Sequence, residues 1–256
     1  MGGSERFLDR SARLRDMRRW QMLAEAADTT DLSQLRRQRA EAHALRADLD
    51  RLIHVAEGRF AQPVVSGAAP EAPAGSDWSW RPAAWSGPLG EPGIAAAASR
   101  TGMGEGVTLF HDCAESEVTL RQRRNHRAAH RAPFGLDLDV LGFDGSFLSL
   151  VVDLPEAAVN GLRRRHLVRV DLLIEMERPL EIFARLNIKH GPNTEQLVRE
   201  VPIDAADRSV EFDLAYSNVN EKRIEKLWLD LILDRPAMNR VLLRDLVLSR
   251  RPRAEL

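Results

Sequence analysis

Between Leu180 and Lys189, polar side chains alternate with apolar ones in the stretch LEIFARLNIK. Side chains of a β-strand point alternately to its two faces, so this pattern predicts a strand with one apolar and one polar face. Planar polar groups can hydrogen-bond the hydroxyls of a sugar while an aromatic ring packs against its C–H face. The candidate ligand-binding residues, on this and neighbouring strands, are Arg185, Asn187, Lys189, His190, Arg199, Asp213 and Trp228.

The same polar row has a purely structural explanation. Arginine or lysine opposite an acid on the next strand stabilises any exposed sheet face. The turn residues His190–Asn193 lead into a second alternating segment, Glu195–Val201, which predicts a hairpin with such a neighbouring strand. The sequence leaves carbohydrate binding and cross-strand pairing open.

A second group of candidates is the tryptophans Trp78, Trp80 and Trp85. They lie in residues 61–106, a stretch rich in proline, glycine and alanine that predicts a linker or an extended wrapping segment. Because each tryptophan can bury a large apolar area, we expect the segment to dock across the following domain. Stacking of sugar rings on these tryptophans is the alternative.

Two further stretches have the residue types of a reactive or charged site. His111-Asp112-Cys113 combines a thiol with a base, but on a strand Asp112 would face away from the other two. The basic run from Arg121 to Arg127 predicts a solvated loop or a weak anion site. No Gly-x-Ser-x-Gly elbow, His-Glu-x-x-His helix or P-loop occurs, and no cofactor or metal site is indicated. We expect the protein not to be an enzyme, although tertiary structure alone could assemble a site.

The elements that must position these residues are short strands over residues 107–256. About ten segments, without long helices between them, predict a mainly β fold: an antiparallel, jelly-roll-like β-sandwich. The segments are Val107–Phe110, Glu117–Arg121, Phe134–Leu141, Ser146–Asp153, His166–Glu175, Glu181–Lys189, Glu195–Val201, Val210–Leu214, Lys226–Asp234 and Val241–Arg250.

Residues 1–60 predict a helical hairpin or short coiled coil in front of the sandwich. Thr30 or Asp31 is the expected N-cap of the second helix, and Gly58 is its expected end. The stripe Leu35–Ala56 could pack on the first helix or form a homo-oligomer with another copy of the chain. Its members at a/d spacing are Leu35, Ala42, Leu45, Leu49, Leu52 and Ala56.

The first helix carries arginines beside apolar side chains such as Phe7, Leu8 and Trp20. This composition is typical of a helix in peripheral contact with a membrane surface. A solvated face is the alternative, because the acids Glu5 and Asp9 are interspersed and can pair with the arginines.

Composition limits the class of protein. With 37 basic and 38 acidic residues the formal net charge is −1, so a nucleic-acid partner is not expected. The single cysteine, Cys113, excludes an intrachain disulfide. The start MGGSERFLDR lacks the apolar region of a secretory signal, and no apolar run approaches the roughly 20 residues that span a bilayer. We therefore predict a cytoplasmic protein without a transmembrane segment.

The segment Leu227–Arg250, LWLDLILDRPAMNRVLLRDLVLSR, resembles the closing strands of carbohydrate-binding jelly rolls. The whole chain resembles an uncharacterised bacterial family of unknown function, through GVTLFHDC, SFLSLVVDLPE, ARLNIKHGPNTEQ and LSRRPRAEL. The leading interpretation is a non-enzymatic binding module, with a carbohydrate or an anionic glycan as its ligand. The alternative is a scaffold protein that oligomerises through its N-terminal helices and binds protein partners.

Overall fold

The computed structural model describes residues 3–61, 73–125, 132–202 and 207–253. The helices are α1 (Gly3–Glu25), α2 (Leu32–Ala61), α3 (Ala83–Ser86) and α4 (Glu156–Val159). The strands are β1 (Trp78–Trp80), β2 (Gly93–Ile94), β3 (Thr101–Gly102), β4 (Val107–His111), β5 (Val118–Arg124), β6 (Phe134–Val140), β7 (Leu148–Asp153), β8 (His166–Met176), β9 (Ile182–His190), β10 (Asn193–Glu200), β11 (Asp207–Asp213), β12 (Ile224–Leu233) and β13 (Asn239–Pro252). Single 3-10 turns cover Ala27–Thr29, Leu214–Tyr216 and Glu221–Arg223.

The strands form two antiparallel sheets. The seven-stranded sheet has the order β11-β8-β13-β6-β5-β2, and β1 also pairs with β13. The six-stranded sheet has the order β10-β9-β12-β7-β4-β3. Consecutive strands repeatedly cross from one sheet to the other, as in jelly rolls. The predicted fold class, a jelly-roll-like sandwich preceded by a helical hairpin, is confirmed, and each predicted strand segment overlaps an observed strand.

Alternation explains why these segments form a sandwich. On β9, Ile182, Ala184, Leu186 and Ile188 are all buried and point to the same side. The apolar rows of the other long strands point to the same interior and form one continuous core. Burial of apolar surface is the main favourable term in folding, so the strands are held with these rows inward.

The predicted linker contributes strands that the sequence did not reveal. β1 pairs with β13, β2 with β5 and β3 with β4. Each has only two or three residues, which is too short to show alternation, and its partner is remote in sequence. Residues 62–72 lie outside the described part of the chain. The proposed division at residues 60 and 106 stays a prediction; contacts separate the units Met1–Asp50 and Arg51–Leu256.

The N-terminal helices begin and end close to the predicted positions. Asp31 caps α2, because its Oδ2 accepts a hydrogen bond from Ser33 N at 3.2 Å. The helix continues to Ala61 rather than ending at Gly58, since a glycine inside a helix is unfavourable but tolerated. An ion pair of 3.0 Å between Arg19 Nη2 and Glu41 Oε1 joins the two helices.

Truncation of the core should be costly. Leu186 is fully buried on the inner side of β9, so Leu186→Ala removes apolar contacts and leaves a cavity. We expect it to lower the free energy of unfolding by about 2–5 kcal/mol, measured by urea denaturation. Leu141→Ala is the matched control, because Leu141 is 57% exposed. Equal urea midpoints for the two variants would contradict this inner position of Leu186.

Candidate ligand-binding face

The six-stranded sheet has an outer face, directed away from the core. Directly paired residues of neighbouring strands share a face, so the register defines its members. Arg185 pairs with Asp230 on β12 and Val198 on β10, whereas Asn187 pairs with Trp228 and Gln196. The outer face of β9, β10, β12 and β7 comprises Phe183, Arg185, Asn187, Lys189, Thr194, Gln196, Val198, Glu200, Lys226, Trp228, Asp230, Ile232, Ser149, Val151 and Asp153.

Arg185, Asn187 and Asp230 form a hydrogen-bonded group in the middle of this face. Asp230 Oδ2 accepts from Arg185 Nε at 2.7 Å and from Asn187 Nδ2 at 3.1 Å. Gln196 Nε2 in turn donates to Asn187 Oδ1 at 3.1 Å. Asp230 is only 3% exposed, and the charge-assisted bonds from Arg185 compensate for its loss of water.

An aromatic ring and two lysine–acid ion pairs surround the group of Arg185, Asn187 and Asp230. Trp228 is partly buried next to Asn187, and Lys226 Nζ lies 5.9 Å from the centroid of its ring. Lys226 also pairs with Asp153 at 2.7 Å, and Lys189 pairs with Glu225 at 3.0 Å.

The structure brings Arg185, Asn187, Lys189 and Trp228 together but separates the other predicted residues. His190 is one residue after Lys189, so it points to the opposite side and is buried, with Nδ1 accepting from Asn220 N at 3.3 Å. Arg199 pairs with Ala184 and therefore lies on the inner side of β10. Asp213 is on the other sheet, where it accepts from Ala215 N at 3.0 Å.

The contacts also change the role expected for Asn187. The sequence pattern presented it as a donor and acceptor open to a ligand, whereas it is 1% exposed and bonded on both polar atoms by protein groups. Cross-strand pairing, the structural alternative, describes these contacts; ligand binding stays a prediction. Sequence reasoning missed Asp230 and Gln196, although the alternation in KLWLDLIL already placed Asp230 beside Trp228 in the strand pattern.

The tryptophan segment docks on the sandwich. Trp85 is fully buried, and its Nε1 donates to Leu243 O at 2.9 Å, so its ring has no face for a sugar and the stacking alternative is wrong there. Trp78 and Trp80 are partly buried and pack against the core. A two-bond pair of Arg81 with Asp245, at 2.8 and 2.9 Å, fixes the segment.

The residues of the His111-Asp112-Cys113 tripeptide have separate structural roles. His111 is buried, with Nε2 2.8 Å from Ala97 O. Asp112 accepts from Ser146 N at 2.7 Å and holds the loop before β7. Cys113 Sγ donates to Asp144 Oδ1 at 2.7 Å, and this hydrogen bond raises the pKa of the thiol. A nucleophilic cysteine needs a lowered pKa, whereas the environment of Cys113 favours the protonated thiol.

The basic run that was expected to form a loop is partly strand β5. Arg121 and Arg123 contact Asp137 on β6 at 3.0 and 3.1 Å, and Arg240 of β13 binds the same carboxylate at 2.7 Å. Burial acts to raise the pKa of Asp137, but the hydrogen bonds from Arg240, Arg121 and Arg123 outweigh it and lower the pKa to about 2. His126 and Arg127 lie outside the described residues.

These features define an antiparallel β-sandwich with two N-terminal helices and a mixed polar and aromatic face. A family model matches residues 1–256, and the chain belongs to that family, the family of unknown function DUF6478. This confirms the resemblance to an uncharacterised family. No curated protein matches the sequence.

Similar solved structures include carbohydrate-binding modules, as the resemblance of the C-terminal strands implied. One is the family 11 module from Clostridium thermocellum in complex with a β-1,3-1,4-mixed-linked tetrasaccharide, with 11% identity, a TM-score of 0.40, and coverage of 65% of this chain and 98% of that one. Another is the CBM22-1 xylan-binding domain from Paenibacillus barcinonensis Xyn10C, with 12% identity, a TM-score of 0.36, and coverage of 61% and 92%.

The enzymatically active domain of bacteriophage CBA120 tailspike protein 4 is also similar, with 7% identity and a TM-score of 0.41 over 60% of this chain. The chain spans only 21% of that protein's length. Similarities as distant as these carry no argument about a ligand.

In the described part of the chain, no helix is long and apolar enough to cross a membrane. Peripheral contact through α1 stays a prediction. The side chains of Phe7 and Leu8, on which it partly rests, lie outside the described residues.

Acid should weaken the fold through Asp137. Its pKa is about 2 in the folded protein against an ordinary value of 3.8, so it contributes stability above that ordinary value. The contribution, about 2 kcal/mol, is lost as the pH falls from 3.8 towards about 2. Urea midpoints across this window should therefore fall steeply for the wild type and less steeply for Asp137→Asn.

Asp234→Asn is the control, because this aspartate lies outside the cluster and pairs with Arg235. It should keep the wild-type dependence on pH. If Asp137→Asn keeps that dependence as well, the cluster does not stabilise the fold through the Asp137 carboxylate.

Proposed function

We propose that the protein is a non-enzymatic binding module that holds a carbohydrate on the outer face of the six-stranded sheet. The observation that carries this proposal is the Arg185–Asn187–Asp230 group beside the partly buried ring of Trp228. A sugar offers hydroxyls that both donate and accept hydrogen bonds and a C–H face that packs on an aromatic ring. The outer face presents partners for both.

Hydrogen-bonding capacity remains on the group after its internal bonds are made. Arg185 Nη1 and Asp230 Oδ1 form no hydrogen bond with any described residue. A guanidinium N–H and a carboxylate oxygen suit a pair of neighbouring hydroxyls, one accepting and one donating. Because Asp230 already fixes Arg185, binding would cost little additional side-chain entropy.

The charges of the face favour a neutral glycan over an anionic one. Each cation has an acidic partner: Arg185 with Asp230, Lys189 with Glu225, and Lys226 with Asp153. An anionic polymer would have to displace these carboxylates or approach them, so the face offers no net attraction to it.

Two observations support binding without catalysis in a reducing compartment. The only cysteine, Cys113, donates a hydrogen bond to Asp144 that raises the pKa of its thiol, so the protonated, non-nucleophilic form is favoured. It also leaves no intrachain disulfide, which fits the cytoplasm that we propose as the location.

Trp228→Ala should weaken binding without unfolding the protein. To identify the ligand, the purified protein is applied to a glycan array that carries both neutral and acidic glycans. Titration calorimetry then measures the affinity of the ligand for the variants. Loss of the Trp228 ring should reduce affinity about tenfold or more, because an aromatic ring contributes much of the apolar contact.

Tyr216→Ala is the matched control, since this ring is 78% exposed and lies beyond β11 of the other sheet. It should bind like the wild type, with circular dichroism confirming that both variants fold. If Trp228→Ala bound the glycan with wild-type affinity, the outer face would not be the binding site. If only acidic glycans on the array bound the protein, the proposal of a neutral ligand would be wrong.

The second candidate is a scaffold that self-associates through its helices and binds protein partners. It is favoured by the apolar stripe of α2, whose Leu45, Leu49 and Leu52 are 39%, 49% and 65% exposed in the single chain. Leucines at a/d spacing are the residues that pack between helices of a coiled coil.

The double substitution Leu45→Glu with Leu49→Glu tests this candidate. If the stripe joins copies, multi-angle light scattering should give a smaller assembly than the wild type, because the introduced carboxylates cannot be buried without a partner. Substitution of exposed Arg36 and Arg37 by Glu is the control outside the stripe. Equal masses for wild type and the double variant would leave the helix stripe without a role in assembly.

A further inference from the structure

Strand β10 is the last strand of the six-stranded sheet at one of its two edges. It pairs with β9 on one side, and no described strand pairs with the other. Its register with β9 is continuous from Asn193 to Glu200, without a bulge or an internal proline. Proteins usually shorten, bulge or cover such edges, because an exposed edge recruits another strand. At the opposite edge, β3 has only two residues.

Alternate residues of β10 direct their backbone groups away from the sheet. Val201 N donates to Ile182 O at 2.8 Å just beyond the strand, and antiparallel pairs alternate between bonded and non-bonded residues. The odd-numbered residues from 193 to 199 therefore bond β9. The residues whose N–H and C=O groups point outward are Thr194, Gln196, Val198 and Glu200.

We propose that β10 pairs antiparallel with β10 of a second copy of the chain, with Leu197 on the two-fold axis. In this register Gln196 lies opposite Val198 of the partner subunit, and these two exchange their outward backbone hydrogen bonds. Glu195 lies opposite Arg199 of the partner subunit, and the symmetry makes the same ion pair twice.

Charge complementarity selects this register. A shift by two residues keeps the backbone bonds but places Glu195 opposite Leu197 and Arg199 opposite Asn193, which loses both ion pairs. In the proposed register the two Leu197 side chains meet between the ion pairs, on the side of the sheet where Leu197 already packs against the core.

The present contacts of these residues are compatible with the pairing. Arg199 Nη1 donates to the outward carbonyl of Val198 at 2.9 Å, so the Arg199 side chain satisfies a group that the Gln196 N–H of the partner subunit would take over. Glu195 Oε1 accepts from Asn218 N at 3.0 Å, and among the described residues Oε2 has no hydrogen-bond partner, so it can bind Arg199 of the partner subunit.

The pairing would continue the sheet across the two-fold axis. The outer faces of both copies would then lie side by side on one surface. A polymer that bound one face could engage the second at high effective concentration. The dimer itself does not depend on the ligand, so it can be tested independently of carbohydrate binding.

The test measures the mass of the full chain by light scattering. Each variant is made in the wild-type chain and also in the helix variant Leu45→Glu/Leu49→Glu, which separates pairing through β10 from association through α2. Val198→Pro removes an outward N–H without touching the bonds to β9, a position where an edge strand tolerates proline. Arg199→Glu places like charges opposite each other. We expect a dimer for the wild type in both backgrounds and at least about tenfold weaker dimerisation for either variant.

The double variant Glu195→Arg/Arg199→Glu exchanges the charges and should restore the dimer, which a general loss of folding would not allow. Val198→Ala, which keeps the N–H, is the matched control and should remain dimeric. Amide hydrogen exchange should slow at Gln196 and Val198 as the wild-type concentration rises. A monomeric wild type, or a dimer that survives both Val198→Pro and Arg199→Glu, would overturn the proposal.

Discussion

The structure depends on packing the apolar faces of two β-sheets against each other. Because successive side chains of a strand point in opposite directions, sealing Leu186 and its apolar neighbours inside forces Arg185 and Asn187 to the outside. A one-residue slip would reverse both sets at once. The hydrophobic core therefore fixes which residues can form a surface site as firmly as it fixes the fold.

Buried carboxylates paired with arginine are the second constraint. Asp137, Asp230 and Asp245 are each nearly inaccessible to water, and each is held by arginine guanidinium groups. At Asp137 and Asp245 two N–H groups of one guanidinium bind the two carboxylate oxygens, whereas at Asp230 both contacts of Arg185 go to Oδ2. A guanidinium with several N–H groups offsets much of the desolvation of a carboxylate, which a lysine ammonium does less well. This gives a structural role to a composition in which lysine occurs only at positions 189, 222 and 226.

The outer face combines rigidity with remaining hydrogen-bonding capacity. Its central group is already ordered by Asp230, and Trp228 adds an aromatic surface next to it. The same sheet ends in β10, whose outward backbone groups continue the hydrogen-bonding pattern of the sheet to its border. The proposed ligand site and the proposed dimer contact can therefore share one sheet, because the first would use side chains and the second would use backbone groups and edge charges.

The sequence by itself determined the long strands, the two N-terminal helices and a cap of the second helix at Thr30 or Asp31, because alternation and capping are local in the chain. The structure decided the cap in favour of Asp31. The sequence also placed Arg185, Asn187 and Trp228 on polar rows. Only the tertiary structure decided that Asp230 lies beneath Arg185, that Arg199 and Asp213 lie elsewhere, and that the short strand β1 pairs with β13. These outcomes depend on which strands become neighbours, and a pairing between residues far apart in sequence leaves no local pattern to detect.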